Sequence, residues 1–212
     1  MHTVGGDLYD FNVISKNEIG VLIADVAGHG VSAAIIMGMV KLAFKMHREL
    51  AKDPAGLLEK MNETLFGIAG KGYVTAGYCY LNLEKKEITY SSAGHPALML
   101  LQNRNRKLIE LQPKGAILGA FPKIKCTNEM SEMFSGDKIL LCTDGILEVR
   151  KEINSTVFYG EEKFRDFLLE NSKLIESDFL TSIIEDVKKY RGIEDESIGF
   201  DDDITLVSID IE

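Results

Sequence analysis

Residues 20–30 read Gly-Val-Leu-Ile-Ala-Asp-Val-Ala-Gly-His-Gly, and the stretch after them, Val31 to Ala51, is rich in Ala, carries Gly38 and is apolar round much of its circumference. The run Gly20–Ala24 predicts a buried strand, and the segment from Val31 predicts a helix packed closely on a sheet. Asp25 is thus delivered at the end of a strand, ahead of a glycine-containing turn with room for close approach. The stretch Leu-Leu-Cys-Thr-Asp-Gly (140–145) repeats the pattern and carries Asp144 off the end of another apolar run. Two further acidic turns, Gly5-Gly6-Asp7 and Asp201-Asp202-Asp203, complete four acidic stations far apart in sequence. Any one of them alone reads as solvated surface. Together they call for a cation, because gathered carboxylates repel and hard divalent ions take oxygen ligands.

Outward from this strand–turn–helix unit, strands are predicted near Leu8–Ile14, Tyr73–Leu83, Ile88–Ser92, Ala97–Leu101, Lys138–Cys142 and Ile204–Ile211. The polar turn Asn82-Leu83-Glu84-Lys85-Lys86-Glu87 is short enough to force antiparallel pairing of its neighbours. Asp53-Pro54 reads as an N-cap with Pro at the first helical position, opening a second helix through about Ile68. A second helical pair is expected over Glu161–Asn171 and Ser177–Tyr190, the latter with a stripe of Phe179, Leu180, Ile183, Ile184 and Val187. Helices in two paired blocks with antiparallel strands between them indicate an α+β fold. A chain of 212 residues is expected to form one domain, 1–212.

The net charge of −9 disfavours a nucleic-acid backbone or an anionic membrane as partner. The longest apolar stretch, Ala33 to Phe44, is broken by Gly38 and Lys41 and is too short to span a bilayer. Cys79, Cys126 and Cys142 are odd in number and contain no Cys-x-x-Cys pair, which fits a reducing cytoplasm and argues against a disulfide framework or zinc knuckle. Cys142 reads as a small buried hydrophobe. Met1-His2-Thr3 leads straight into Val4-Gly5-Gly6 without the charged and apolar regions of a secretory leader.

The Gly-Gly-Asp triplet alone is shared with diguanylate cyclases, but Leu8-Tyr9 follows it and the second carboxylate of that signature is missing. The ordered set is more specific: Val4-Gly-Gly-Asp-Leu-Tyr-Asp-Phe11, Asp25-Val-Ala-Gly-His-Gly30, Ser92-Ala-Gly-His-Pro96, Gly136-Asp-Lys-Ile-Leu-Leu-Cys-Thr-Asp-Gly-Ile-Leu-Glu148 and Asp202-Asp-Ile-Thr-Leu-Val207. In order and spacing these segments resemble the bacterial branch of the metal-dependent (PPM, type 2C) serine/threonine protein phosphatases, nearest the sporulation stage II protein E and stress-response regulator enzymes. The resemblance runs from Val4 to Val207. It implies a four-layer αββα sandwich, two antiparallel sheets flanked by helical pairs. Family domains carry an additional strand before Gly-Gly-Asp, so the chain is expected to be truncated at its N-terminus and to lack that strand.

Carried over residue by residue, the resemblance makes Asp25 the carboxylate shared by two Mn²⁺ or Mg²⁺ ions, with the Val26 carbonyl beside it. Asp144 and Asp202 would bind the first ion, and Asp7 would serve the second. Asp25, Asp144 and Asp202 are the implied catalytic set. Within the triplet, the family's Asp-Asp-x-Thr pattern selects Asp202, and adjacent residues facing opposite ways keep all three from one ion. The chemistry asks for such a centre independently. Phosphate-monoester hydrolysis is extremely slow uncatalysed, and two ions roughly 4 Å apart both activate a water and clamp the phosphoryl oxygens. Oxygen-only ligands favour Mg²⁺ or Mn²⁺ over zinc.

Eukaryotic relatives place a histidine two residues after the shared aspartate, where this chain has Ala27, so His29 is assigned no proton transfer. His95 is expected to hydrogen-bond a turn backbone. No counterpart of the eukaryotic phosphate-binding arginine is assigned. The implied substrate is a phosphorylated STAS-type anti-sigma-factor antagonist, with an upstream sensory or receiver domain in the full-length protein. The competing reading is a pseudophosphatase that binds a partner without turnover. Four retained acidic stations argue against it, and the short start argues for it.

Overall fold

The computed structural model describes residues 4–67, 72–152, 155–193 and 199–212. Met1 to Thr3, and Ile68 as the end of the second helix, lie outside the described residues. In chain order the elements are β1 (Asp7–Ser15), β2 (Glu18–Val26), α1 (Val31–Met46), α2 (Pro54–Leu65), β3 (Val74–Asn82), β4 (Glu87–Ala93), β5 (Leu98–Gln102), β6 (Lys107–Leu111), β7 (Glu129–Glu132), β8 (Lys138–Cys142), α3 (Glu161–Glu170), α4 (Glu176–Arg191) and β9 (Leu206–Asp210). Two antiparallel sheets and four helices make an α+β fold, with strand orders β1-β2-β3-β4-β7 and β6-β5-β8-β9. The chain divides into two compact units, Met1–Leu98 with Leu111–Met133 and Met99–Glu110 with Phe134–Glu212.

The first unit is a five-stranded antiparallel sheet with α1 and α2 on one face. Leu22, Ala24 and Val26 of β2 and Val74, Ala76 and Tyr78 of β3 alternate onto that face. They pack with Ala33, Ile36, Val40, Ala43 and Phe44 of α1 and with Leu57, Leu58, Met61 and Leu65 of α2. The Tyr78 hydroxyl donates to the Ala51 carbonyl at 2.9 Å. On α1 this single stripe is buried, and a second apolar set, Val31, Ile35, Leu42 and Met46, is exposed. The helix ends at Met46 rather than Ala51. The chain then tightens into a 3₁₀ turn, Arg48–Leu50, whose i→i+3 bonds satisfy the carbonyls of His47 and Arg48.

Helix α2 begins at Pro54 as expected, but the Asp53 side chain makes no capping bond. Asn128 takes over: its side-chain oxygen accepts from Ala55 N at 2.8 Å, and its amide donates to Asp53 Oδ1 at 2.9 Å. Asn62, fully buried on α2, donates to the Phe121 carbonyl and accepts from Gly119 N, fastening the helix to the connection that follows β6.

In the second unit, Met99 and Leu101 of β5 and Leu140 and Cys142 of β8 meet Phe164 and Leu168 of α3 and Phe179, Ile183 and Val187 of α4. Lys138 is buried, paired with Asp210 and lying 4.7 Å from the Phe179 ring centroid. The Tyr159 hydroxyl donates to Asp186 Oδ2 at 2.6 Å. Strands β6 and β7 were not expected from sequence. Both lie at sheet edges, where short, charged strands such as Lys-Leu-Ile-Glu-Leu and Glu-Met-Ser-Glu are the rule. Among the described residues no helix is long and apolar enough to cross a membrane.

Candidate metal centre

The β1–β2 ladder is antiparallel and sets Asp7 directly opposite Asp25. Opposed residues share a face, so the two carboxylates stand side by side, an arrangement that costs stability without a counter-charge. The backbone beside them is drawn tight by Gly6. A Cβ on Gly6 would lie 2.5 Å from the Val26 carbonyl oxygen, 3.1 Å from the Gly28 carbonyl oxygen and 3.2 Å from Asp25 Oδ1. Val26 N donates back to the Gly6 carbonyl at 3.1 Å. The Val26 and Gly28 carbonyl oxygens and Asp25 Oδ1 therefore crowd the position a Gly6 side chain would take, which only glycine leaves open. Gly28 and Gly30 act otherwise: added Cβ atoms would meet nothing within 4 Å, but φ values of +98° and +81° put both in the left-handed region. They turn the chain into α1 and leave His29 exposed.

In the second unit, β8 is buried along its whole length and delivers Thr143 and Asp144 to a 3₁₀ turn, Asp144–Ile146. Thr143 N donates to the Thr205 carbonyl, and Thr205 N to Thr143 Oγ1 at 3.0 Å, which ties the segment after Asp203 to this turn. Gly145 makes the close approach possible: a Cβ there would collide with the Asp203 carbonyl oxygen and lie 3.6 Å from Asp202 Cβ. Burial, and then the negative charge of Asp202, push the Asp144 carboxyl above the usual range, against hydrogen bonds from its own N–H and that of Gly145. Asp202 Oδ1 accepts from Asp203 N at 2.8 Å, whereas Asp201 turns to Arg191 at 2.8 Å. A cavity of about 210 Å³ is lined by Gly145, Glu148, Val149, Arg150, Asp201 and Asp202. Arg150, which the sequence did not single out, is the basic residue of that lining, with its guanidinium 5.5 Å from the Phe158 ring centroid, while Arg191 pairs with Asp201.

The structure thus brings the expected carboxylates together as two pairs, Asp7 with Asp25 and Asp144 with Asp202. Among the described residues no group of three or more His, Cys, Asp or Glu gathers to hold an ion. His95 is buried, and its ring bonds the Thr75 hydroxyl through Nδ1 at 2.9 Å rather than a turn backbone. All three cysteines are buried free thiols, pushed up by burial, Cys126 to about 11 and Cys142 to about 12.

The stage II sporulation protein E (SpoIIE) family profile matches residues 15–212, a stretch that begins after Asp7. Phosphoserine phosphatase RsbU of Bacillus subtilis is 31% identical over 150 residues, covering 70% of this chain and 44% of RsbU, so the chain spans less than half of that relative. The SiaA-PP2C domain of Pseudomonas aeruginosa superposes with a TM-score of 0.84 at 21% identity, over 99% of this chain and 82% of that one. RsbX in complex with magnesium gives 0.67 at 18% identity, over 97% and 86%. At such identities the structural likeness establishes the fold. Two antiparallel sheets with two helix pairs are the fold of the PP2C domains, and that is the class the architecture defines. The chain belongs to the SpoIIE family, the sporulation and stress-regulator branch of that class.

Proposed function

We propose that this chain is a Mn²⁺- or Mg²⁺-dependent phosphatase acting on phosphoserine or phosphothreonine in a protein, with a phosphorylated STAS-type anti-sigma-factor antagonist as substrate. The observation that carries the reading is the pair of glycine-fitted carboxylate sites. Asp25 and the Val26 carbonyl converge beside Gly6, opposite Asp7, and Asp202 is brought to Asp144 over Gly145. The donors are all oxygen, which fits two hard divalent ions. The family resemblance assigns Asp7, Asp25, Val26, Asp144 and Asp202 to one centre. RsbX in its magnesium complex and the phosphoserine phosphatase RsbU support the metal and the substrate class.

When bound, the ions neutralise the phosphoryl oxygens and activate the attacking water. The chain holds the carboxylates on fixed strand ends, and Arg150 offers a guanidinium to a phosphoryl oxygen or an acidic flank of the substrate. Buried thiols with raised pKa leave no cysteine nucleophile, and attack by an activated water would require no covalent enzyme intermediate. A sensory or receiver domain in the full-length protein is the regulatory partner that the resemblance implies.

The test is phosphate release from a phosphoserine peptide at saturating Mn²⁺. Asp25→Asn and Asp202→Asn should each lower turnover on the order of 10² or more, because the attacking water depends on the ions. Asp201→Asn should stay within a few-fold, since Asp201 serves Arg191. A folded parent that binds Mn²⁺ but releases no phosphate would be a pseudophosphatase. An inert Asp201→Asn beside an active Asp202→Asn would move the ligand assignment by one residue.

A further inference from the structure

The register that pairs Asp7 with Asp25 continues one strand further, since Asp25 stands directly opposite Thr75 on β3. Val74 and Ala76 point into the core beneath α1 and α2, so Asp7, Asp25 and Thr75 form a rung on the sheet face turned away from those helices. The Thr75 hydroxyl bonds His95 Nδ1 at 2.9 Å. His95 is 3% exposed, and its backbone is clamped by one side chain: Ser92 Oγ accepts from His95 N at 2.9 Å and donates to the His95 carbonyl at 2.8 Å. A parallel bridge between Ala76 and Gly94 fixes the same turn to β3. The whole Ser92–Pro96 turn is therefore built to hold an imidazole against the residue that faces Asp25.

We infer that His95 is a positioning residue: its Nδ1–H donates to Thr75 Oγ1, which leaves the Thr75 O–H to donate to the Asp25 carboxylate and fix its orientation. This rests on the reading of Asp25 as a metal ligand. The direction of the first bond decides everything that follows. With the proton on Nε2, Thr75 must donate to Nδ1 and has no hydrogen left for Asp25. With the proton on Nδ1, the imidazole, hydroxyl and carboxylate form a directed chain of the kind that orients metal ligands from behind.

Two measurements on the whole chain test it. Nitrogen-15 NMR of the metal-free parent should show His95 as the Nδ1–H tautomer, and the Nε2–H tautomer would overturn the inference without reference to any metal. Calorimetric titration with Mn²⁺ should show affinity reduced about 10- to 100-fold in Thr75→Val and His95→Leu, the usual cost of losing a partner behind a ligand. Thr75→Ser keeps the hydroxyl, and His95→Asn places an amide N–H near the Nδ1 position, so both should stay within a few-fold. Melting in chelator checks that the Val and Leu variants are folded. Parent-like affinity in them would overturn the relay alone, whereas a parent that takes up no Mn²⁺ would overturn the metal reading and the relay with it. Should either variant fail to fold, the tautomer of the parent still decides.

Discussion

Asp202 comes within electrostatic reach of Asp144 because the residue between them in space, Gly145, has no side chain. Gly145→Ala must push the Asp203 carbonyl away and carry Asp202 with it. The expected outcome is a folded protein with at least about tenfold weaker Mn²⁺ binding by calorimetry, in the range seen when ligand geometry is disturbed. Undiminished affinity would show that Asp202 is placed by something else. The four acidic stations were legible in the sequence because each sits in a short turn next to an apolar run or a glycine. Their pairing was not. Asp7 meets Asp25 through a hairpin register, and Asp144 meets Asp202 through an approach between segments far apart in the chain. Arg150 escaped notice for the same reason, since the cavity it lines is completed by Asp201 and Asp202.

Elements with a strong apolar period were found from sequence to within a few residues, as with β8 and the α4 stripe. Those whose stability comes from elsewhere were not. Strands β6 and β7 are edge strands held by pairing rather than by an apolar run, and the N-terminus of α2 is capped by a residue far along the chain. Asp53 has the residue type of a cap, but its carboxylate is engaged by Asn128, which performs the capping. Asn128→Ala should therefore cost about 1 kcal/mol of stability, the usual worth of a helix cap, read as a lower midpoint in urea denaturation. If Asn128→Ala left the midpoint in place, the cross-chain cap would contribute nothing.

For the molecule as a whole, composition announced an acidic protein and the order of helices and strands an α+β fold, and the structure shows where part of the acid goes. With a net charge of −9 and two carboxylate pairs, the native state gains from any cation that it alone binds. Mn²⁺ at a hundredfold excess over its dissociation constant should add about 2.7 kcal/mol, raising the melting temperature, and chelator should reverse the shift. A melting curve indifferent to Mn²⁺ would count against both carboxylate pairs as ligands. Three buried or half-buried phenols carry a separate consequence, for alkali. Burial lifts Tyr78, burial and then the Glu18 carboxylate lift Tyr80, and burial and then Asp186 lift Tyr159, all above the ordinary tyrosine range. A pKa raised on folding stabilises the native state fully below the unfolded value of about 10 and loses that contribution as pH climbs beyond it. Followed by phenolate absorbance, all three should lag behind free tyrosine, and Tyr78 and Tyr159 should ionise only as the chain comes apart, so that ultraviolet colour at high pH becomes a direct readout of unfolding in a protein without tryptophan.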